Sequence, residues 1–264
     1  MTTRELLLSA WDFGPAAIGV SLASLAAYAA RFRRTAGPRA GFFVLAVLVF
    51  FLALASPVGT LARGYLFSAH MLQHLLLVLA VPPLVLVGLP RPDGDEASPR
   101  EWTLRACALP WLSGVGAMWI WHARVLCNAA AVSPAVQWLQ TASLVAMGLA
   151  FWRPILAPRT SERLQPLLGV LYLFAACVAC SILGILVTFS PVEVCPAYMH
   201  PVDTLGVLPL LREGWGMNCK VDQEVGGLLM WVPGCFVYAG SILATLGRYY
   251  GEEHRARASG GARS

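Results

Sequence analysis

The chain has 264 residues, of which 58% are hydrophobic and only 12% charged, with a mean hydropathy of +0.65. A soluble domain carries about 25% charged residues, so a water-soluble enzyme built round one large core is excluded and lipid is the expected solvent. The formal charge of +5 would suit a nucleic acid, but its placement along the chain gives it another meaning.

A helix needs about 20 apolar residues to cross the hydrocarbon core of a bilayer. Runs of that kind lie at 12–30, 40–57, 67–89, 104–122, 135–152, 166–189 and 225–247. They predict an all-α fold, a polytopic bundle of seven transmembrane helices forming one domain over 1–250. A long loop at about 190–224 and a flexible tail at 251–264 complete the layout. The first run follows a nearly neutral stretch, with Arg4 beside Glu5, and its arginine cluster comes after it. A secretory signal has the reverse polarity, so the run reads as a retained helix. Ser, Gly, Gln and Thr dilute the fourth and fifth runs. Pro82–Pro83 and Pro233–Gly234 should kink the third and seventh, leaving carbonyls for neighbouring helices to satisfy.

Arg and Lys orient the bundle. Arg31, Arg33, Arg34 and Arg39 follow the first run, Arg91, Arg100 and Arg105 the third, Arg153, Arg159 and Arg163 the fifth, and Arg248, Arg255, Arg257 and Arg263 the last. Those are fourteen of the nineteen basic residues; Arg4, Arg63, Arg124, Arg212 and Lys220 fall on the other side. Positive charge stays cytoplasmic, so the N-terminus is expected outside and the C-terminus inside. Nucleic acid is rejected as a partner.

That orientation gathers chemistry on the outer face. "SAHMLQHLLLVLAVPP" (68–83) opens the third run with His70 and His74, and the fourth run ends outward at His122. His200 falls in the outer loop; His254 alone belongs to the inner tail. Residues four apart on a helix share a face, so His70 and His74 can reach one metal ion, with Met71 on the flank of that face. Imidazole with a soft thioether or thiolate suits copper. A single His at a membrane mouth more often bonds a neighbouring helix; a pair with a third His on the next helix favours a site, because intramembrane ionisable groups are functional by default.

The zinc-protease pattern fails here, because Met71 and Gln73 stand where a general base would be needed. "CVAC" (177–180), far from a helix N-terminus, reads as small packing residues rather than a redox pair. Cys195 and Cys219 share the outer loop, in an oxidising space, and a disulfide between them is the favoured reading over thiolate ligands. Trp119, Trp121, Trp138, Trp215 and Trp231 read as an interfacial belt and helix packing. Asp222 is open to two readings, a metal ligand or a cap for the seventh helix. No Asp, Glu or Lys lies deep in any run, which argues against an ion-coupled transporter.

"FSAHMLQHLLLVLAVPPLVLVGLP" (67–90), "WHARVLCNAA" (121–130), "FWRPI" (151–155) and "DQEVGGLLMWVPG" (222–234) resemble, in order and spacing, the CtaG-type cytochrome c oxidase assembly factors. The resemblance covers nearly the whole chain. It implies a seven-helix protein of the bacterial inner membrane, not an enzyme, that supports copper-dependent maturation of haem–copper oxidases. Its expected partners are oxidase subunits, the bilayer and other copper chaperones. Carried over by position, the family's first His pair falls on His70 and His74, its next-helix His on His122, and its Asp-Gln on Asp222 and Gln223. The expected metal set is therefore His70, His74, His122 and Asp222, with Met71 and His200 beside them, and the expected cargo is copper as Cu(I).

One departure matters. Where the family carries H-x-x-E-H at the start of the fifth helix, this chain has Gln137, Gln140 and Thr141, poor donors for soft copper. The site is then smaller, is completed by loop residues Cys195, Met199 and His200, or no longer binds metal. Two other classes stay open: a b-type haem electron carrier and a metal-free scaffold for oxidase subunits.

Overall fold

The computed structural model describes residues 2–35, 37–92 and 102–261, with side chains except that of Leu104 and those beyond Gly251. Arg100 and Arg263, and the side chains of His254, Arg255 and Arg257, lie outside what is described. The described chain is all-helical. In order the helices are α1 (Thr3–Ser9), α2 (Pro15–Phe32), α3 (Ala40–Ala55), α4 (Pro57–Ala62), α5 (Phe67–Leu75), α6 (Val81–Gly88), α7 (Leu104–Trp121), α8 (Arg124–Val132), α9 (Pro134–Leu156), α10 (Pro166–Thr188) and α11 (Cys219–Gly261).

Local sequence sets many of these starts. Thr2 and Glu5 form a reciprocal capping box on α1, and the Thr103 hydroxyl accepts from Ala106 N–H at α7. Ser56-Pro57 and Ser133-Pro134 place a capping hydroxyl before a first-turn proline at α4 and α9.

Among the described residues six segments are long and apolar enough to cross a membrane: Pro15–Phe32, Gly37–Ala55, Phe67–Gly88, Pro134–Leu156, Pro166–Thr188 and Cys219–Gly251. The run expected at 104–122 does form an eighteen-residue helix, α7, but Arg105, Pro110, Ser113 and two glycines keep it out of that group. Large apolar side chains such as Leu22, Leu112, Leu171, Phe174 and Phe236 point outward from these helices. Water would penalise that surface and hydrocarbon does not.

The third run is one span in three pieces. A five-residue π-helical turn, Leu76–Ala80, joins α5 to α6 just before Pro82–Pro83. Proline has no N–H, so Pro82 leaves the Val78 carbonyl without its i+4 donor; the Trp152 indole of α9 donates to that carbonyl at 3.0 Å. A Cβ on Gly148 would sit 2.7 Å from Pro82 Cγ, so only glycine lets α9 approach this break. Gly184 does the same where α10 packs along α11, since a Cβ there would meet Trp231 Cβ at 2.8 Å.

The bundle has two chemically different ends. The α2 and α6 C-termini meet where Tyr28 donates to the Gly88 carbonyl at 2.8 Å. At that end Phe32, Leu89, Arg153 and Arg159 line one cleft, which is the arginine-rich end read from the sequence. The opposite end carries α1, α4, the starts of α5, α9 and α11, and the loop before α11. There Arg63 pairs with Asp12 at 2.7 Å, and Tyr65 shares a hydrogen bond with Thr204 at 2.8 Å.

Candidate functional site

The His-bearing ends converge where the sequence placed them, and they are closed off. His70 and His74 are each 1% exposed, Met71 is fully buried and His122 is 6% exposed. The His70 and His74 rings lie 4.3 Å apart, and His74 meets His122 edge-on at 5.4 Å. Tyr198 packs over His70 at 5.6 Å and donates its hydroxyl to the Ala62 carbonyl at 2.7 Å, roofing the cluster.

His122 ends α7, and its Nδ1 contacts the Met118 carbonyl one turn back. A carbonyl oxygen cannot donate, so Nδ1 carries the proton and Nε2 presents a lone pair. That lone pair faces the Met71 sulfur at 3.0 Å. A thioether has no proton to give. The contact is satisfied when Nε2 also carries a proton and donates to the sulfur, or when both atoms bind one soft metal ion. A ligating His that donates its other N–H to a backbone carbonyl is the usual arrangement around metals.

Among the described residues the four ring nitrogens of His70 and His74 have no hydrogen-bond partner, nor does the Gln140 amide nitrogen. Gln140 approaches His74 without reaching hydrogen-bonding geometry. Unpaired buried polar groups are rare, because each costs about 1–3 kcal/mol. Nevertheless, among the described residues no three His, Cys, Asp or Glu side chains converge as a finished metal cage.

Asp222 has a structural task. Its two oxygens accept from Phe67 N–H at 2.8 Å and Ser68 N–H at 2.9 Å. Leu66, at the N-cap of α5, has no side-chain acceptor, so α11 caps α5 from across the bundle and sets the helix that carries the His pair. The cap expected of Asp222 for its own helix is corrected: the first N–H groups of α11, on Lys220 and Val221, donate to Asn218 instead. Gln223 pins the loop before α11: its Oε1 accepts from Val194 N–H at 2.9 Å, and its Nε2 reaches the carbonyls of Val187, Ser190 and Val192. Gly226 completes the contact, since a Cβ there would meet the Phe67 ring at 2.6 Å and Met71 Cγ at 3.1 Å.

The expected disulfide is also corrected. Cys195 bonds to Cys127 of α8, with Cα atoms 5.8 Å apart, and Cys219 is a free thiol donating to the Met199 carbonyl at 3.5 Å. The neighbouring Asn128 accepts from Ala197 N–H at 2.8 Å and adds a second tie between α8 and the loop. His200 is exposed and Met199 lines a surface cleft with Cys219, Glu193 and Glu224. With Cys195 in a disulfide, the loop trio does not complete the cluster. Of the three residues at the family's second His pair, Gln137 lines a cleft at the same end with Thr60, Arg63 and Tyr65, while Gln140 and Thr141 are buried. Tyr198 escaped the sequence reading, since nothing in "CPAYMH" marks one aromatic as a roof.

Helices long and apolar enough to cross a membrane, packed around a buried imidazole–thioether cluster at one end, are those of a polytopic membrane protein. The chain matches the family model described as cytochrome c oxidase caa3 assembly factor (Caa3_CtaG) over residues 23–252, and it belongs to that family of oxidase assembly factors. No curated protein and no solved structure matches it.

Proposed function

We propose that this assembly factor takes up Cu(I) at the outer end of the bundle, on His70, His74, His122 and Met71, and passes it to an oxidase subunit. The observation that carries the reading is the His122 Nε2 lone pair aimed at Met71 sulfur, beside four unpaired imidazole nitrogens. Neutral imidazoles and a thioether are donors chosen by soft copper over hard cations. Few ligands, none of them thiolates, make a site that can release its ion to a tighter acceptor. A haem finds no room between rings whose centroids are 4.3 and 5.4 Å apart.

The Cys127–Cys195 bond supports placing this end in the periplasm, because disulfides persist in oxidising compartments. The arginine-rich end then faces the cytoplasm of a bacterial inner membrane. A reporter after Ser264 should read cytoplasmic and one near Gly206 periplasmic; both on one side overturns the orientation.

The direct test is oxidase maturation in cells lacking the chain. The wild type should restore copper-loaded oxidase and His122→Ala should not, with equal amounts of either protein in the membrane. Full restoration by His122→Ala contradicts the reading.

A further inference from the structure

A second group of soft donors lies deeper in the bundle. Met118 of α7, Cys180 of α10 and Met230 of α11 line one cavity of ≈ 20 Å³. It sits beside the π-helical turn of the third span and beside the proline of the continuous helix α11. Val78 and Leu79 of the π-helical turn form one wall, and Gly234, next to Pro233, forms another. π turns recur at functional sites.

Packing alone does not explain the space. Methionine is the flexible residue that fills irregular gaps, yet two of them, at 6% and 3% exposure, leave this one open. A cavity must exceed about 10–15 Å³ to hold a water, and the water needs two to four polar partners. Here the lining offers two polar groups, the Cys180 thiol and the Tyr238 hydroxyl, and they already face each other at 3.7 Å. Water is poorly held, whereas two thioethers and a thiol suit a soft monovalent cation.

We propose that this cavity is a second Cu(I) position, bound by Cys180, Met118 and Met230 and separate from the histidine cluster. The site stands on its own donors; that copper is the ion which reaches it rests on the function proposed above. On binding, the Cys180 S–H bond breaks, a Cu–S bond forms and the proton leaves to the bulk buffer, with copper staying Cu(I). Ion and thiolate together are neutral, which a membrane interior tolerates better than a bare cation. Tyr238 is placed to donate its hydroxyl to that thiolate. It is held against the Trp152 ring, whose indole also secures the π turn. Met118 lies on the same helix as His122 and supplies the carbonyl that His122 holds, so the two positions are neighbours along α7.

The test is a Cu(I) titration of the purified full chain against a competing chromophoric chelator, under reducing conditions. The wild type should bind two equivalents, one of them with thiolate-to-copper ultraviolet absorption. Met230→Leu, a near-isosteric change that cores tolerate, and Cys180→Ala should each bind one equivalent and lose that absorption. His70→Ala/His74→Ala should keep the absorption while losing the other equivalent. If Met230→Leu and Cys180→Ala bind as much as wild type, the deep site does not exist. If the histidine variant alone binds normally, the outer reading fails and the deep site stands.

Discussion

Replacing Asp222 by Asn keeps the shape of the side chain and removes one acceptor and one charge. In the native protein both oxygens hold N–H groups of the first turn of α5, with the carboxylate 1% exposed. An amide can satisfy only one of them. The other becomes a buried orphan, at about 1–3 kcal/mol. Losing a negative charge at a helix N-terminus adds about 0.3–2 kcal/mol. No cavity opens, so Asp222→Asn should cost roughly 1–5 kcal/mol by these two contributions. The first turn of α5 should fray, and His70 sits at its end. Unfolding in mixed detergent micelles, followed by tryptophan fluorescence, measures the loss; Cu(I) titration of the same sample measures the site. We expect a clear drop in stability with a several-fold weaker copper affinity. Unchanged stability with copper binding abolished would make Asp222 a ligand and refute the capping argument.

Met71→Leu should preserve packing within about 1.5 kcal/mol yet weaken Cu(I) binding about tenfold or more, as judged by chelator competition. Cys127→Ser frees a loop spanning 68 residues and should cost about 4 kcal/mol in the chain-entropy account. Cys219→Ser should leave stability unchanged, and mass-shift alkylation should find Cys219 reactive before reduction. Slight burial pushes the Asp203 carboxyl up, but the backbone N–H groups of Leu208, Val207, Gly206 and Leu205 outweigh it and hold it below its usual range. Its folded pKa is depressed, so its stabilisation of the loop before α11 is present above the unfolded pKa and lost as pH falls through the folded one. Limited proteolysis of the loop should therefore accelerate on acidification, and Asp203→Asn should flatten that pH dependence.

The apolar runs, the His70/His74 spacing and the break before Pro82–Pro83 were legible because each is a local pattern, whereas α11 runs helical through Pro233. Composition placed the helices, and the arginines separated the two ends before any contact was known. What pairs across the bundle was not legible. Asp222 lies 155 residues from the N–H it caps, and as the start of "DQEVGG" it looks like an ordinary first-turn acid. Cys127 sits in "VLCNAA" with nothing to distinguish it from the packing cysteines, so the nearer Cys219 drew the pairing. The π turn is invisible in "LLVLA", since an extra residue per turn leaves no mark in a uniformly apolar stretch. For α7, one arginine and several small residues were enough to dilute the apolar signal, although the helix forms.

X-ray absorption at the copper edge of Met230→Leu, loaded with one equivalent of Cu(I), isolates the outer position. The account predicts imidazole scattering together with one sulfur neighbour, the imidazole signal falling when His122→Ala is added and the sulfur vanishing with Met71→Leu. Copper ligated without histidine, or no copper retained at all, would contradict it.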